Sequence, residues 1–306
     1  MNETGEFDVV TGAFSYTGKY LTRRLLDAGR KVRTITGHPN RANPFGKQVE
    51  IAPMDFKNRA GLVESLRGAS VLYNSYWVRF SHGGVTFDEG VSNSRILIQA
   101  AREAGVRRIV HLSIANPSID SHLPYYSGKA QVEKAIVDSG LSYAILRPTV
   151  IFGAEDILIN NIAWFVRRFP VFAIPGSGQY QIQPIFVEDM ADLAINAARQ
   201  QNNLVLDAVG PEVFTFEELV RQIAKGIRAK TRLIHVPPGV ALSMLRLVEP
   251  IVGDVILTRE EIQGLMANLL VSKEPATGDT RFSEWLAQNA PILGTRYASE
   301  LARHYR

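Results

Sequence analysis

The most constraining feature of the chain is Thr11-Gly12-Ala13-Phe14-Ser15-Tyr16-Thr17-Gly18, set between the apolar run Phe7-Asp8-Val9-Val10-Thr11 and a helical pattern near 17–29 whose apolar face holds Leu21, Leu25 and Leu26. Gly12 permits a tight turn, and Gly18 lets the helix pack closely on the strand. Backbone N–H groups of 15–17, at the start of the helix, can then face a pyrophosphate. A glycine pair alone is weak, but a strand before it and a helix after it point to a nucleotide site rather than a plain turn. Phe14, Ser15, Tyr16 and Thr17 complete the loop; Ser15 stands where the middle glycine of the usual pattern would be.

Beyond this loop, β-branched apolar runs at 31–36, 49–52, 70–76, 107–113 and 142–148 alternate with helical patterns near 58–67, 85–104 and 124–139. That βαβα order predicts an α/β fold, a doubly wound parallel sheet of the Rossmann kind with helices on both faces. After Gly153 the pattern loosens into helices near 157–169 and 188–200, a strand at 204–208, and mostly helix to the end. A dinucleotide-binding domain over 1–155 is therefore expected, followed by a smaller, mostly helical substrate domain over 156–306, with about 184–210 returning to the first.

Composition removes other classes of function. Among 306 residues there is no cysteine, which excludes disulfide scaffolds, thiolate zinc sites and cysteine nucleophiles. Six scattered histidines without an HExxH pattern argue against a metal site, and none is expected. The net charge of +4 comes without a basic block, too little to argue for nucleic acid. No apolar run reaches the ~18 residues of a membrane span, and the acidic start Met1-Asn2-Glu3-Thr4 lacks signal-peptide character, so a cytoplasmic protein is expected. Oligomeric state is not readable.

About 20 residues past the loop, an NAD enzyme would offer a carboxylate to the adenosine ribose. Here the chain reads Thr36-Gly37-His38-Pro39-Asn40-Arg41. Nothing there repels a 2′-phosphate, and His38 and Arg41 can pair with one, so NADP is favoured over NAD; a solvated Arg41 is the competing reading. Asp55 can accept from the adenine amino group or, equally, cap the helix that begins near Lys57.

Tyr125 and Lys129 stand at i and i+4 at the start of a helix after Pro124, and Ser113 ends the strand before it. A neighbouring ammonium stabilises a phenolate, the same ammonium can reach nicotinamide ribose hydroxyls, and a serine at the strand end can hold a substrate oxygen. The pair alone is common by chance; its order after the phosphate loop and Ser113 favours a catalytic reading over a packed tyrosine and a solvated lysine. Tyr126 points about 100° away.

With these residues, and with Leu146-Arg147-Pro148-Thr149-Val150-Ile151-Phe152-Gly153 and Phe186-Val187-Glu188-Asp189-Met190-Ala191, the chain resembles the short-chain dehydrogenase/reductase superfamily in its extended and atypical branch. It is most similar there to proteins related to nucleotide-sugar epimerases, to NmrA-like proteins and to the nucleotide-binding accessory subunit of respiratory complex I. The resemblance implies Tyr125 as acid/base, Lys129 orienting cofactor and tyrosine, Ser113 positioning substrate, Pro148 and Thr149 beside the nicotinamide, and a structural Asp189. It departs from the pattern at Ser15, at Gly37 and at Asn74-Ser75-Tyr76. Two functions stay open: an NADP(H)-dependent oxidoreductase or epimerase-like enzyme acting on a small carbonyl or alcohol, and a non-catalytic NAD(P)-binding regulator or accessory protein. Tyr76-Trp77-Val78-Arg79-Phe80 after the fourth strand, with Trp164, Phe165, Phe169, Phe172 and Tyr180 further on, fit an apolar substrate pocket and core packing equally well, and Arg79 reads as a solvated arginine ahead of a partner for an anionic group.

Overall fold

The computed structural model describes residues 6–304; the acidic start discussed above, Met1-Asn2-Glu3-Thr4, lies outside them. The first half runs β1 (Phe7–Thr11), α1 (Tyr16–Asp27), β2 (Lys31–Thr36), β3 (Val49–Pro53), α2 (Arg59–Leu66), β4 (Ala69–Asn74), α3 (Phe87–Glu103), β5 (Arg108–Leu112), α4 (Pro124–Asp138) and β6 (Ser142–Pro148). The second half runs β7 (Val150–Phe152), α5 (Leu158–Arg168), β8 (Val171–Pro175), β9 (Gln181–Ile182), β10 (Pro184–Phe186), α6 (Val187–Arg199), β11 (Leu204–Ala208), β12 (Phe214–Thr215), α7 (Phe216–Gly226), β13 (Arg232–Val236), α8 (Pro238–Val252), α9 (Arg259–Met266), α10 (Phe282–Asn289) and α11 (Glu300–His304).

Two compact units result. One comprises the described residues through Pro148 with Met190–Asp207; the other comprises Thr149–Asp189 and the chain from Ala208 onward. The division falls at 148/149, where 155/156 was expected, and the returning stretch is 190–207, where 184–210 was expected.

The first unit is built on a seven-stranded sheet in the order β11-β6-β5-β4-β1-β2-β3, with parallel pairing from β3 through β6. All five residues of β5 are buried, as a strand with helices on both faces requires. Val9, Ile35, Leu72, Ile109 and Ile145 form the sheet's share of a core closed by Leu62, Leu97 and Val132 from the helices. Asp8, almost wholly buried, accepts two bonds from the Arg30 guanidinium at 2.8 and 3.0 Å, which fixes the chain leaving α1 to the start of β1. The return of 190–207 is fastened by Arg108, which donates to the carbonyls of Ala197 and Asn202, while Asn203 accepts from the Tyr143 amide. Chain order reverses between β1 and β4. That reversal is the switch point where open α/β sheets leave a crevice at the strands' C-terminal ends.

The second unit is rich in helix but holds three short strand pairs, β10 with β7, β12 with β9 and β13 with β8. The parallel β8–β13 ladder was not expected from sequence. Phe152, Phe282 and Trp285 pack at 5.2 to 6.3 Å in its core. Tyr180 and Phe172 belong to the same packing against Phe216. Asp189 accepts from both the amide and the hydroxyl of Thr280 at 2.8 and 2.9 Å, a bracing role.

Candidate functional site

Gly12 adopts φ +64°, the left-handed conformation that glycine takes without penalty. A Cβ at Gly18 would lie 2.2 Å from the Gly12 carbonyl oxygen, so only glycine allows α1 to start this close to the strand. Ser15, the residue ahead of α1, does not cap the helix: its hydroxyl donates to Gly12 O at 2.6 Å and its amide to the same oxygen at 2.8 Å. The extra side chain therefore closes the turn. The Ser15 amide is spent in this way, and the amides of Tyr16 and Thr17 follow it ahead of the first helical bond from Lys19 N–H to Ser15 O. No acidic residue stands in the first turn of α1. A tight cradle that a single Cβ would fill, at a helix N-terminus and a switch point, fits a dinucleotide pyrophosphate.

The neighbouring strand end is pinned to this loop. Ser75 donates from its amide to Thr11 Oγ1 at 2.7 Å and from its hydroxyl to Thr11 O at 2.8 Å. Asn74, fully buried, accepts from the Tyr76 amide and donates to His111 Nδ1 at 3.1 Å. Burial, with Lys129 nearby, pushes His111 well below the ordinary imidazole range, so it sits neutral. Asn74-Ser75-Tyr76, a departure from the family pattern, thus forms a hydrogen-bonded brace between β1, β4 and β5.

Past the end of β2, Thr36 Oγ1 accepts from the His38 amide and His38 O from the Arg41 amide, making a turn. His38 is exposed and Arg41 half-buried, and nothing crowds Gly37. Asp55 is exposed, and its carboxylate accepts from the Lys57 amide at 2.9 Å. It is not the helix cap: α2 begins at Arg59 and is capped by Asn58, which accepts from the Gly61 amide.

Ser113 follows β5 directly; its amide donates to Leu146 O at 2.7 Å, while its buried hydroxyl has no partner among the described residues. One residue earlier, the Leu112 carbonyl accepts from Lys129 Nζ at 2.9 Å. Tyr125 is half-buried one turn ahead of Lys129, and Tyr126 is buried. Trp77, which the sequence suggested only as a pocket aromatic, organises this corner. Lys129 Nζ lies 4.7 Å from its ring centroid, and Tyr125 meets it edge-on at 5.8 Å. Gly128 makes room for it: a Cβ there would lie 2.9 Å from the Trp77 ring. Under this ring Lys129 is only 3% exposed, and burial brings its ammonium down to about 7 against a smaller upward pull from Glu133. Glu133 is held by Arg147 at 2.6 and 3.0 Å. Pro148 ends the first unit, its carbonyl accepting from the Ala115 amide at 2.8 Å. Thr149, the first residue of the second unit, donates its hydroxyl to the Gln183 carbonyl there. No cluster of metal-ligating side chains occurs among the described residues.

Residues 12–156 match the family model described as NAD(P)H-binding. In sequence the chain is similar to the NADH dehydrogenase [ubiquinone] 1 alpha subcomplex subunit 9 of Arabidopsis thaliana mitochondria, 23% identical over 288 residues that cover 88% of this chain and 72% of that protein. In structure it is similar to a nucleoside-diphosphate-sugar epimerase from Staphylococcus aureus (TM-score 0.75, 14% identity, 92% of this chain and 99% of that one). It is also similar to the NADPH-dependent quinone oxidoreductase QOR2 of Escherichia coli complexed with NADPH (TM-score 0.74, 20% identity, 93% and 98%). At these identities the structural likeness is one of fold. Residues 12–156 thus carry the match to the NAD(P)H-binding family model, and over most of its length the chain has the fold of these epimerase and reductase structures.

Proposed function

We propose that this protein is an NADP(H)-dependent oxidoreductase acting on a small carbonyl or alcohol, with epimerase-like use of the same ketone chemistry as a variant. The observation that carries this reading is the corner at the end of β5. There the partnerless buried Ser113 hydroxyl, the Lys129 ammonium fastened at Leu112 and the half-buried Tyr125 come from adjacent positions. An unsatisfied buried hydroxyl is costly and is retained where a ligand completes it. NADP(H) is favoured because no carboxylate stands between Thr36 and Arg41, and His38 and Arg41 can pair with a 2′-phosphate. The amides of Tyr16 and Thr17 would hold the pyrophosphate. Asp55 keeps a carboxylate oxygen that can accept from the adenine amino group.

In the reducing direction the bound dinucleotide supplies a hydride to the carbonyl carbon. Tyr125 donates its phenolic proton to the carbonyl oxygen as the negative charge develops, and Ser113 Oγ–H hydrogen-bonds the same oxygen. Lys129, once turned from the Leu112 carbonyl, stabilises the resulting phenolate and holds the nicotinamide ribose. Pro148 and Thr149 are assigned to the nicotinamide's surroundings on the family pattern, and the cytoplasm expected from the sequence is kept as the location.

A specific observation favours the second reading, a non-catalytic NAD(P)-binding regulator or accessory protein: Trp77 covers Lys129, so the ammonium is withheld until that ring moves. The similarity to a complex I subunit points the same way. NADPH oxidation at 340 nm with a panel of aldehydes, ketones and short-chain quinones separates the two. The enzyme reading expects turnover that Tyr125→Phe lowers by about 10²–10⁴-fold while NADPH affinity is kept. Tight NADPH binding with no turnover across the panel, or full turnover by Tyr125→Phe, overturns it.

A further inference from the structure

Helix α8 in the second unit has an apolar stripe turned to solvent. Val240, Met244, Leu247 and Ile251 recur at intervals of four, three and four, which places them along one side of the helix. They are 46, 39, 76 and 79% exposed, and Ala241 is the only fully buried residue of α8. Four large aliphatic groups in a row over roughly 17 Å of helix are not the scattered single exposures usual on a protein surface.

The chain leading into and through this stripe is one-sided in charge up to Glu249. From residue 219 to 248 the chain holds no Asp or Glu, whereas Arg221, Lys225, Arg228, Lys230, Arg232 and Arg246 give six cations, more than the net +4 of the whole chain. Arg221 is paired with Glu217. Lys225, Arg228, Lys230, Arg232 and Arg246 are exposed, and among the described residues no carboxylate pairs with any of them. Four of these cations lie on the chain just ahead of α8, and the fifth lies on α8 itself.

We propose that this face of α8, together with the exposed cations of the chain leading into it and of the helix itself, docks the protein on an anionic bilayer surface. Aliphatic side chains on a convex helix enter the boundary between headgroups and acyl chains, and unpaired cations meet the negative surface charge. The face lacks the tyrosine, tryptophan and pocket-filling arginine that anchor protein interfaces. Pairing with a second copy about a twofold axis would bring the two cationic clusters together. No helix among the described residues is long and apolar enough to cross a membrane, so the docking is peripheral. It does not depend on the catalytic reading.

The test is co-sedimentation of the full-length protein with vesicles of phosphatidylcholine containing 30% phosphatidylglycerol, against pure phosphatidylcholine. Binding is expected to the anionic vesicles only, weakening at high salt. Leu247→Glu/Ile251→Glu should lower the partition by at least about tenfold, and Lys230→Ala/Arg232→Ala by roughly fivefold per cation. Ile292→Glu, at a 62% exposed apolar site elsewhere, should leave it unchanged. Far-UV circular dichroism confirms that each variant is folded. The proposal is overturned by a parent protein that ignores anionic vesicles, by equal binding of the Leu247/Ile251 variant, or by light scattering that shows a dimer which this variant converts to monomer.

Discussion

The contact between Gly18 and Gly12 makes Gly18→Ala a sharp probe of the nucleotide loop. Gly18 is helical and its φ is ordinary, so alanine meets no backbone strain; the effect is purely one of space. Its Cβ would sit 2.2 Å from Gly12 O, 2.9 Å from Gly12 C and 3.0 Å from Ser15 Oγ. Ordinary contact with a carbonyl needs about 3.4 Å, so the turn and the helix start must part by roughly 1.2 Å. A displacement of that size stretches a 2.9 Å hydrogen bond beyond any useful length. If two loop amides hold the pyrophosphate, losing two charge-assisted bonds at about 1.5–3 kcal/mol each weakens binding by roughly 10²–10⁴-fold. The assay is titration of NADPH fluorescence, with circular dichroism and a melting curve to show that the variant folds. Gly239→Ala, a helical glycine with nothing within 4 Å, is the control and should bind as the parent does. A folded Gly18→Ala protein that binds NADPH within twofold of the parent would refute the placement of the phosphates.

Two further perturbations follow from the same unit. Burial lowers Lys129 from 10.5 to about 7, so between those pH values the unfolded chain binds a proton that the folded chain releases. This group's contribution to stability therefore rises from about pH 7 to 10.5 and is at its minimum below 7, a span of at most about 5 kcal/mol. Lys129→Met should thus gain most over the parent at pH 6, less about 1 kcal/mol for the lost bond to Leu112 O, and least near pH 10; parallel melting temperatures across that range would refute the buried ammonium. Arg41→Ala should reduce the preference for NADPH over NADH by roughly 1.5–3 kcal/mol, read from paired titrations, and an unchanged ratio would place the 2′-phosphate elsewhere.

What the sequence disclosed and what it hid divide by the range of the interactions. The turn at Gly12 and the close approach at Gly18 are encoded within seven residues and bounded by a strand and a helix, so the loop was legible. The loop also showed Ser15 as a departure, but its closing bond to Gly12 O appears only in three dimensions. The cover that Trp77 places over Lys129 depends on α3 and α4 lying side by side. The only signal for it was a glycine, Gly128, at a helical position that had no turn to make. The β8–β13 pair was hidden for a similar reason: two five-residue strands about sixty positions apart have no local signature of partnership.

A crystal structure of the protein with NADPH tests the central claim most directly. The pyrophosphate is expected within hydrogen-bond distance of the Tyr16 and Thr17 amides, and Lys129 Nζ turned from the Leu112 carbonyl toward the nicotinamide ribose with the Trp77 ring displaced. A dinucleotide bound away from residues 12–18, or one bound there with Lys129 still on Leu112 O beneath Trp77, would contradict it.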